Sequence, residues 1–457
     1  MQNWVTAIRA ASGPLYLAIA DTIEGAIRAG RIRPGQRLPP QRDLARALDV
    51  DLTTVTRAYG LLRSSGLVEG AGRLGSFVRN GAHVQALAAQ ASDDTGMNMP
   101  PQPGFSQLGE AIRTGMAALL RASGPSPLLQ YQPTGGYGHD RAVAAEALSA
   151  RGMPSTEDEV AIAAGGQNAL HAILGNVLAP GDRLAAGCFV YPGLLALAAR
   201  FGIRVDPVET DAEGLDPDGV ARALRGGAKA VYVVPTNDNP TTATLGAERR
   251  AAIAALARRH GAQIIEDDAY GRLPAVPPAT IASLAPERTW HIASLSKIVS
   301  PALRIAHVRA PSARDAWRLS ADIHETAVMA APLNAALVTG WIRDGTLDRL
   351  VAGVRSEAVA RQRIAAHHLG QVPYAAHPEG YHLWLPLGPG MAATDLAAAV
   401  RGMGLSIVPG EAFAVRKDRP AAAVRISLGG AIDHDRLRRA LECLEALLLR
   451  NRARAAG

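Results

Sequence analysis

Lysine is almost absent from this sequence. The chain holds three, Lys229, Lys297 and Lys417, and arginine carries the rest of the positive charge. A guanidinium stays protonated and does not condense with a carbonyl, so a lysine kept in such a background is a candidate nucleophile. Lys297 lies in SLSKIVSPALRIAHV, directly after the apolar stretch Trp290-His291-Ile292-Ala293, and Arg304 follows seven residues later. A small molecule with both an aldehyde and a phosphate needs this pair. The amine forms the imine, and the guanidinium clamps the phosphate through two parallel hydrogen bonds. Ser294 and Ser296 add hydroxyl donors.

Three more motifs extend the same chemistry. AIAAGGQNALHAIL places Gly165-Gly166-Gln167 between an apolar run and a helical one. Glycines there let backbone N–H groups and a helix N-terminus face an anion. IIEDDAYGRL sets Asp267 at the end of an apolar run. A carboxylate against a pyridine nitrogen keeps it protonated and makes the ring an electron sink. Tyr270, three residues on, and Asn239 in the loop PTNDNPTTATL are placed to bond a phenolic oxygen on that ring. Aldehyde, phosphate, pyridine nitrogen and phenolic oxygen together describe pyridoxal 5'-phosphate (PLP), with Lys297 as its Schiff-base residue and no metal required.

These side chains need a scaffold. From about residue 105 onward the pattern alternates strands (231–234, 263–265) with helices (248–259, 435–449). Alternation of this kind predicts an α/β domain on a mainly parallel sheet. Such sheets hold their ligands at the carboxyl ends of the strands, where these motifs fall.

The first eighty residues differ. They carry eleven arginines against six carboxylates, a net charge of +5, while the remaining 377 residues carry only +2. A basic head on a near-neutral body is suited to an anion such as DNA. Apolar residues at helical spacing (Leu15, Ile19, Ile23, Ile27) predict a first helix. A second is expected over 41–48, and a third follows Asp51 as N-cap. Glycines 66, 70, 72 and 75 around short apolar runs predict a β-hairpin wing. Two short helices, a tight turn and a wing form a DNA-reading shape. Arg42, Thr53, Thr54 and Arg57 on the helices, with Arg73 and Gly75 in the wing, are the candidate DNA contacts.

GQRLPPQRDLARALDVDLTTVTRAYGLLRSSGLV and GRLGSFV resemble the GntR family of winged helix-turn-helix regulators. The motifs of the body, in chain order, resemble the fold-type I aminotransferases. The two together resemble the MocR family of regulators. This resemblance implies an α/β fold-type I body with helices on both faces of its sheet and a smaller C-terminal α/β subdomain, preceded by the winged head. It implies further that Gly166 and Gln167 hold the cofactor phosphate by their backbones and that Tyr191 stacks on its ring. Arg425 in VRISLGG would bind the carboxylate of an amino-acid ligand, and Tyr131 would reach the partner subunit's cofactor, so a homodimer is expected. The implied function is a DNA-binding regulator that senses PLP, an amino acid or an amine through an aldimine at Lys297. The alternative is a working aminotransferase with an appended head.

The expected domains are 1–80 for the head, 81–104 for a linker rich in Ser, Asp, Gly and Pro, and 105–457 for the body. A flexible linker of that length spans on the order of 25–30 Å. Two scattered cysteines, Cys188 and Cys443, make no disulfide framework. With no secretion signal or membrane-spanning run in the sequence, a cytoplasmic protein is expected.

Overall fold

The periodicity of the first residues does become helices. The structure is a computed structural model that describes residues 8, 15–28, 31–33, 35–64, 67–70, 75–79, 96–102, 106–122, 127–388, 390–399, 404–416, 418 and 422–456. Arg73, a candidate DNA contact, lies outside them. Helices α1 (Leu15–Arg28), α2 (Gln41–Leu48) and α3 (Leu52–Ser64) precede strands β1 (Val68–Gly70) and β2 (Ser76–Val78). Ile19, Ile23 and Ile27, four apart on one face of α1, are buried against Leu44, Leu48, Val55, Tyr59 and Leu62. Each such side chain contributes roughly 1.5–3 kcal/mol by leaving water. Asp51 caps α3 by accepting from the Thr53 N–H at 2.7 Å and the Thr53 hydroxyl at 2.5 Å. The antiparallel wing pairs Val68 with Val78 and Gly70 with Ser76.

These elements lie in the first of two units, Met1–Asp93; the second is Asp94–Gly457. In the second unit, α4 (Gly166–Val177) follows β3 (Val160–Ala163), and β4 (Arg183–Gly187), α5 (Pro192–Phe201) and β5 (Arg204–Val208) come next. Strand β6 (Ala228–Val233), helix α6 (Ala247–His260), and strands β7 (Gln263–Asp267), β8 (Thr289–Ser294) and β9 (Ala306–Arg309) complete a seven-stranded sheet. Its order is β3-β9-β8-β7-β6-β4-β5, and only β9 runs against its neighbours. Alternate residues of these strands enter two different cores. Leu184, Ala230, Tyr232 and Ile265 join one; Ala185, Val231, Val233 and Ile264 join the other. A sheet apolar on both faces must be covered by helices on both, as the family resemblance implied, and the mainly parallel sheet is what the alternating pattern predicted.

After a long helix α7 (Thr346–Leu369), strands β10 (Ala375–Ala376), β11 (His382–Pro386), β12 (Ser406–Pro409) and β13 (Ala423–Ser427) form an antiparallel sheet ordered β10-β11-β13-β12. The closing helix α8 (His434–Ala456) packs on it through Leu437, Leu441 and Leu444. This is the expected smaller subdomain.

The border between the units differs from the composition-based one. Residues 96–102, which read as the end of a linker, belong to the second unit, where Asn98 is buried and Pro101 bridges to Gly430. Proline and glycine there mimic linker composition, but the backbone carbonyls meet buried donors of the body.

Candidate cofactor site

The parallel strands end on one side of the sheet, and the singled-out residues collect there. Asp267 is the last residue of β7, Lys297 comes three residues after β8, and Gly165-Gly166 open α4 after β3. Lys297 Nζ donates to the backbone oxygen of Asn98 at 2.7 Å. Burial, helped by the positive charges of Arg425 and Arg304 and opposed by Asp267, brings the lysine down to about 8. Its amine is therefore within reach of the neutral, nucleophilic form near physiological pH.

Asp267 moves the other way. Burial raises it to about 6, although Tyr232 donates to its Oδ2 at 2.9 Å and Lys297 favours its charge. Asp268, its sequence neighbour, instead pairs with Arg151 at 2.9 Å. Tyr270 is buried and its hydroxyl accepts from Asn98 Nδ2 at 2.9 Å. Burial pushes that phenol up to about 12, so it remains a proton donor.

The Gly165 turn requires glycine. Its φ is +90°, and an added Cβ would lie 2.8 Å from Arg304 Nη2. A Cβ on Gly166 would come within 3.3 Å of the Ser294 hydroxyl. Arg304 itself sits at φ +50°, a left-handed conformation that costs a non-glycine residue on the order of 1 kcal/mol or more and clusters at ligand sites. Its guanidinium donates to Ala164 O at 3.0 Å. Beside these, Ser296 Oγ is buried without a partner, and Ser294 Oγ accepts from the Ser296 N–H. The Gln167 amide donates to Gly193 O at 3.3 Å. A guanidinium, two hydroxyls and a helix N-terminus with unsatisfied first-turn N–H groups make an anion cradle. Tyr191, whose phenol is raised by burial and by Asp267 while Arg304 opposes, is the residue from which α5 starts.

Arg425, on β13, is only 2% exposed. It donates to Asn239 Oδ1 at 3.2 Å and to Gly96 O at 2.5 Å, with its guanidinium 5.2 Å from the Phe413 ring centre. Tyr131 is 86% exposed. Four participants were not singled out from the sequence. Asn98 and Tyr232 bond Lys297 and Asp267 directly. Tyr381 donates to Lys297 O at 2.8 Å, and His382 faces Asn98 Nδ2 at 3.2 Å through Nδ1.

In the head, Arg42 and Arg57 are exposed, but Arg57 lies over the Tyr16 ring at 4.0 Å. Thr54 is half-buried and the Thr53 hydroxyl is engaged by Asp51. Gly75 has φ +107°, and its Cβ would fall 2.9 Å from Arg37 Nε.

Comparison with known proteins agrees with both halves. The gntR family of bacterial regulatory proteins matches residues 15–78, and aminotransferase class I and II matches residues 102–444. The vitamin B6 salvage pathway transcriptional repressor PtsJ of Salmonella typhimurium is 31% identical, over 91% of this chain and 95% of its own. The chain belongs to the MocR family of GntR-type transcriptional regulators. The HTH-type transcriptional regulator YdeF of Bacillus subtilis is 26% identical over 98% of this chain and 97% of its own. Among solved structures, a kynurenine aminotransferase from Pyrococcus horikoshii superposes with a TM-score of 0.72 at 22% identity. It covers 82% of this chain and 95% of its own, and shares the fold. The protein is thus a DNA-binding regulator with an aminotransferase-fold domain whose cofactor is PLP. The site fits that cofactor: its amine, carboxylate, glycine cradle and unpartnered Ser296 hydroxyl match the aldehyde, ring nitrogen and phosphate. Among the described residues no helix is long and apolar enough to cross a membrane.

Proposed function

We propose that the second unit senses an amino acid or amine by way of PLP and that its ligand state governs DNA binding by the head. Bound PLP supplies an aldehyde and an electron-withdrawing ring. Lys297 presents its amine to the aldehyde, and Asp267 holds the ring nitrogen protonated. Gly166, Gln167, Ser294, Ser296 and Arg304 hold the phosphate. Tyr191 lies on the ring, and Asn239 and Tyr270 face its oxygen. Arg425 pairs with the carboxylate of the incoming ligand. Tyr131, exposed in the single chain, completes the partner's site in a homodimer. Arg42, Thr53, Thr54, Arg57, Arg73 and Gly75 meet operator DNA, and the place of action is the cytoplasm.

The observation that carries this reading is the convergence of Lys297, Asp267, Arg304 and Arg425, close enough for the other three to act on the lysine's proton affinity. The test is a visible-absorption titration of the full-length protein with PLP and then with a panel of amino acids and amines, alongside Lys297→Ala and an operator mobility assay. A cofactor band absent from the variant, shifted stably by one ligand together with DNA affinity, is expected. A band that bleaches and returns with a keto acid, with DNA affinity unmoved, would favour a working aminotransferase instead.

A further inference from the structure

Gly96 and Asn98 are at the start of the described part of the second unit. In sequence they directly follow residues 80–95, which lead from the head. Their carbonyl oxygens are engaged inside the ligand site. Gly96 O accepts from Arg425 Nη2 at 2.5 Å, and Asn98 O accepts from Lys297 Nζ at 2.7 Å. The Asn98 side chain is clamped as well. Its Nδ2 donates to Tyr270 Oη and faces His382 Nδ1, and its Oδ1 accepts from Ser427 Oγ at 2.8 Å.

The two donors that hold these carbonyls are the groups the ligand requires. A carboxylate arriving at Arg425 offers a charged acceptor that can take two parallel N–H bonds in place of one neutral carbonyl, so it competes effectively for the guanidinium. Joining Lys297 Nζ to an aldehyde carbon replaces two N–H bonds by one C=N bond, with the aldehyde oxygen leaving as water. The nitrogen then keeps one hydrogen at most, and the phenolic oxygen of the ring competes for it. Either event takes a donor away from the segment.

We propose that Gly96–Asn98 is an internal competitor of the ligand: its carbonyls bond Arg425 and Lys297, the same donors that a ligand claims, and ligand binding releases the segment, which follows the head in sequence. A ligand shifts an equilibrium only through differential affinity for the two states. Competition supplies that difference, because the docked segment and the bound ligand claim the same donors. The inference rests on the roles of Lys297 and Arg425 given above and adds the route by which occupancy is passed on.

The test is hydrogen–deuterium exchange on the full-length protein with PLP alone as the probe, with the visible band monitored in the same samples. Amides over 96–102 should exchange about three- to tenfold faster once the band has formed, as expected for the loss of the one hydrogen bond from Lys297 to Asn98 O. Lys297→Ala should show no such change on adding PLP. Ser427→Ala removes one anchor of Asn98 and leaves Lys297 and Arg425 in place. It should raise exchange over 96–102 without PLP and tighten PLP binding about two- to fivefold, whereas a merely structural role predicts weaker binding. A band that forms with exchange over 96–102 unchanged or slowed overturns the competitor and leaves the cofactor reading intact. No band in the unsubstituted protein overturns both.

Discussion

Replacing Tyr232 by phenylalanine isolates a single hydrogen bond at the ring-nitrogen end of the site. Tyr232 donates to Asp267 Oδ2 at 2.9 Å, and burial holds its own phenol well above 10, so it donates at every accessible pH. Asp267 is at about 6 with that bond in place. A hydrogen bond to a charged group is worth about 1.5–3 kcal/mol. At 1.36 kcal/mol per pKa unit, its loss raises Asp267 by roughly one to two units, to ~7–8. The sign follows from the raised value: the carboxylate is present above the folded pKa and lost as pH falls through it. At pH 7 the ionised fraction then drops from about 90% to about 10–50%. If the carboxylate is the form that pairs with the cofactor, Tyr232→Phe should bind PLP about two- to tenfold more weakly at pH 7 and recover near pH 9. The assay is a PLP titration by visible absorbance from pH 5 to 9. Comparing the two proteins cancels titration of Lys297 and of the phosphate. An identical pH midpoint in both would refute the argument.

Further outcomes concern other parts of the molecule. With Lys297 near 8, its neutral fraction is ~9% at pH 7, and the rate of cofactor loading should climb about tenfold and level off above pH 9. A rate still rising steeply above pH 10 would mean that the amine is not perturbed. Gly165→Ala forces a side chain at φ +90° into the Arg304 guanidinium, so PLP affinity should fall at least tenfold while circular dichroism stays unchanged. In the wing, Gly75→Ala should cost about 1–3 kcal/mol of head stability by denaturation and weaken operator binding, with the cofactor band intact. Arg425→Met removes the bond to buried Asn239 Oδ1, at a cost of about 1–3 kcal/mol, and the bond to Gly96 O. It should abolish the response to amino acids but not to amines lacking a carboxylate.

Lys297 and Asp267 could be singled out from the sequence because each is a chemically distinctive type at or just after a strand end, which shows as a break in an apolar run, and Arg304 through its spacing of seven residues from Lys297. The glycine turn before α4 was legible for the same reason, and α2 spans the residues over which it was expected. Tyr232 was visible only as a strand residue. Its contact with Asp267 depends on β6 lying beside β7, with Tyr232 opposite Ile265, and strand order is not a local property. Asn98 was hidden more deeply. Its neighbours have the composition of a linker, and the partner of its carbonyl is 199 residues away in the chain.

That placement of Asn98 bears on how such a protein can be taken apart. A body cut at residue 105, where composition draws the border, would carry the sheet and the lysine yet lack Gly96 and Asn98, which bond Arg425 and Lys297. The first described residues of the second unit are therefore part of its ligand chamber and not a spacer in front of it. A chimera that joins a foreign head to this body therefore has to cross over upstream of Gly96, or it inherits a sensor with two of its own hydrogen-bond acceptors missing.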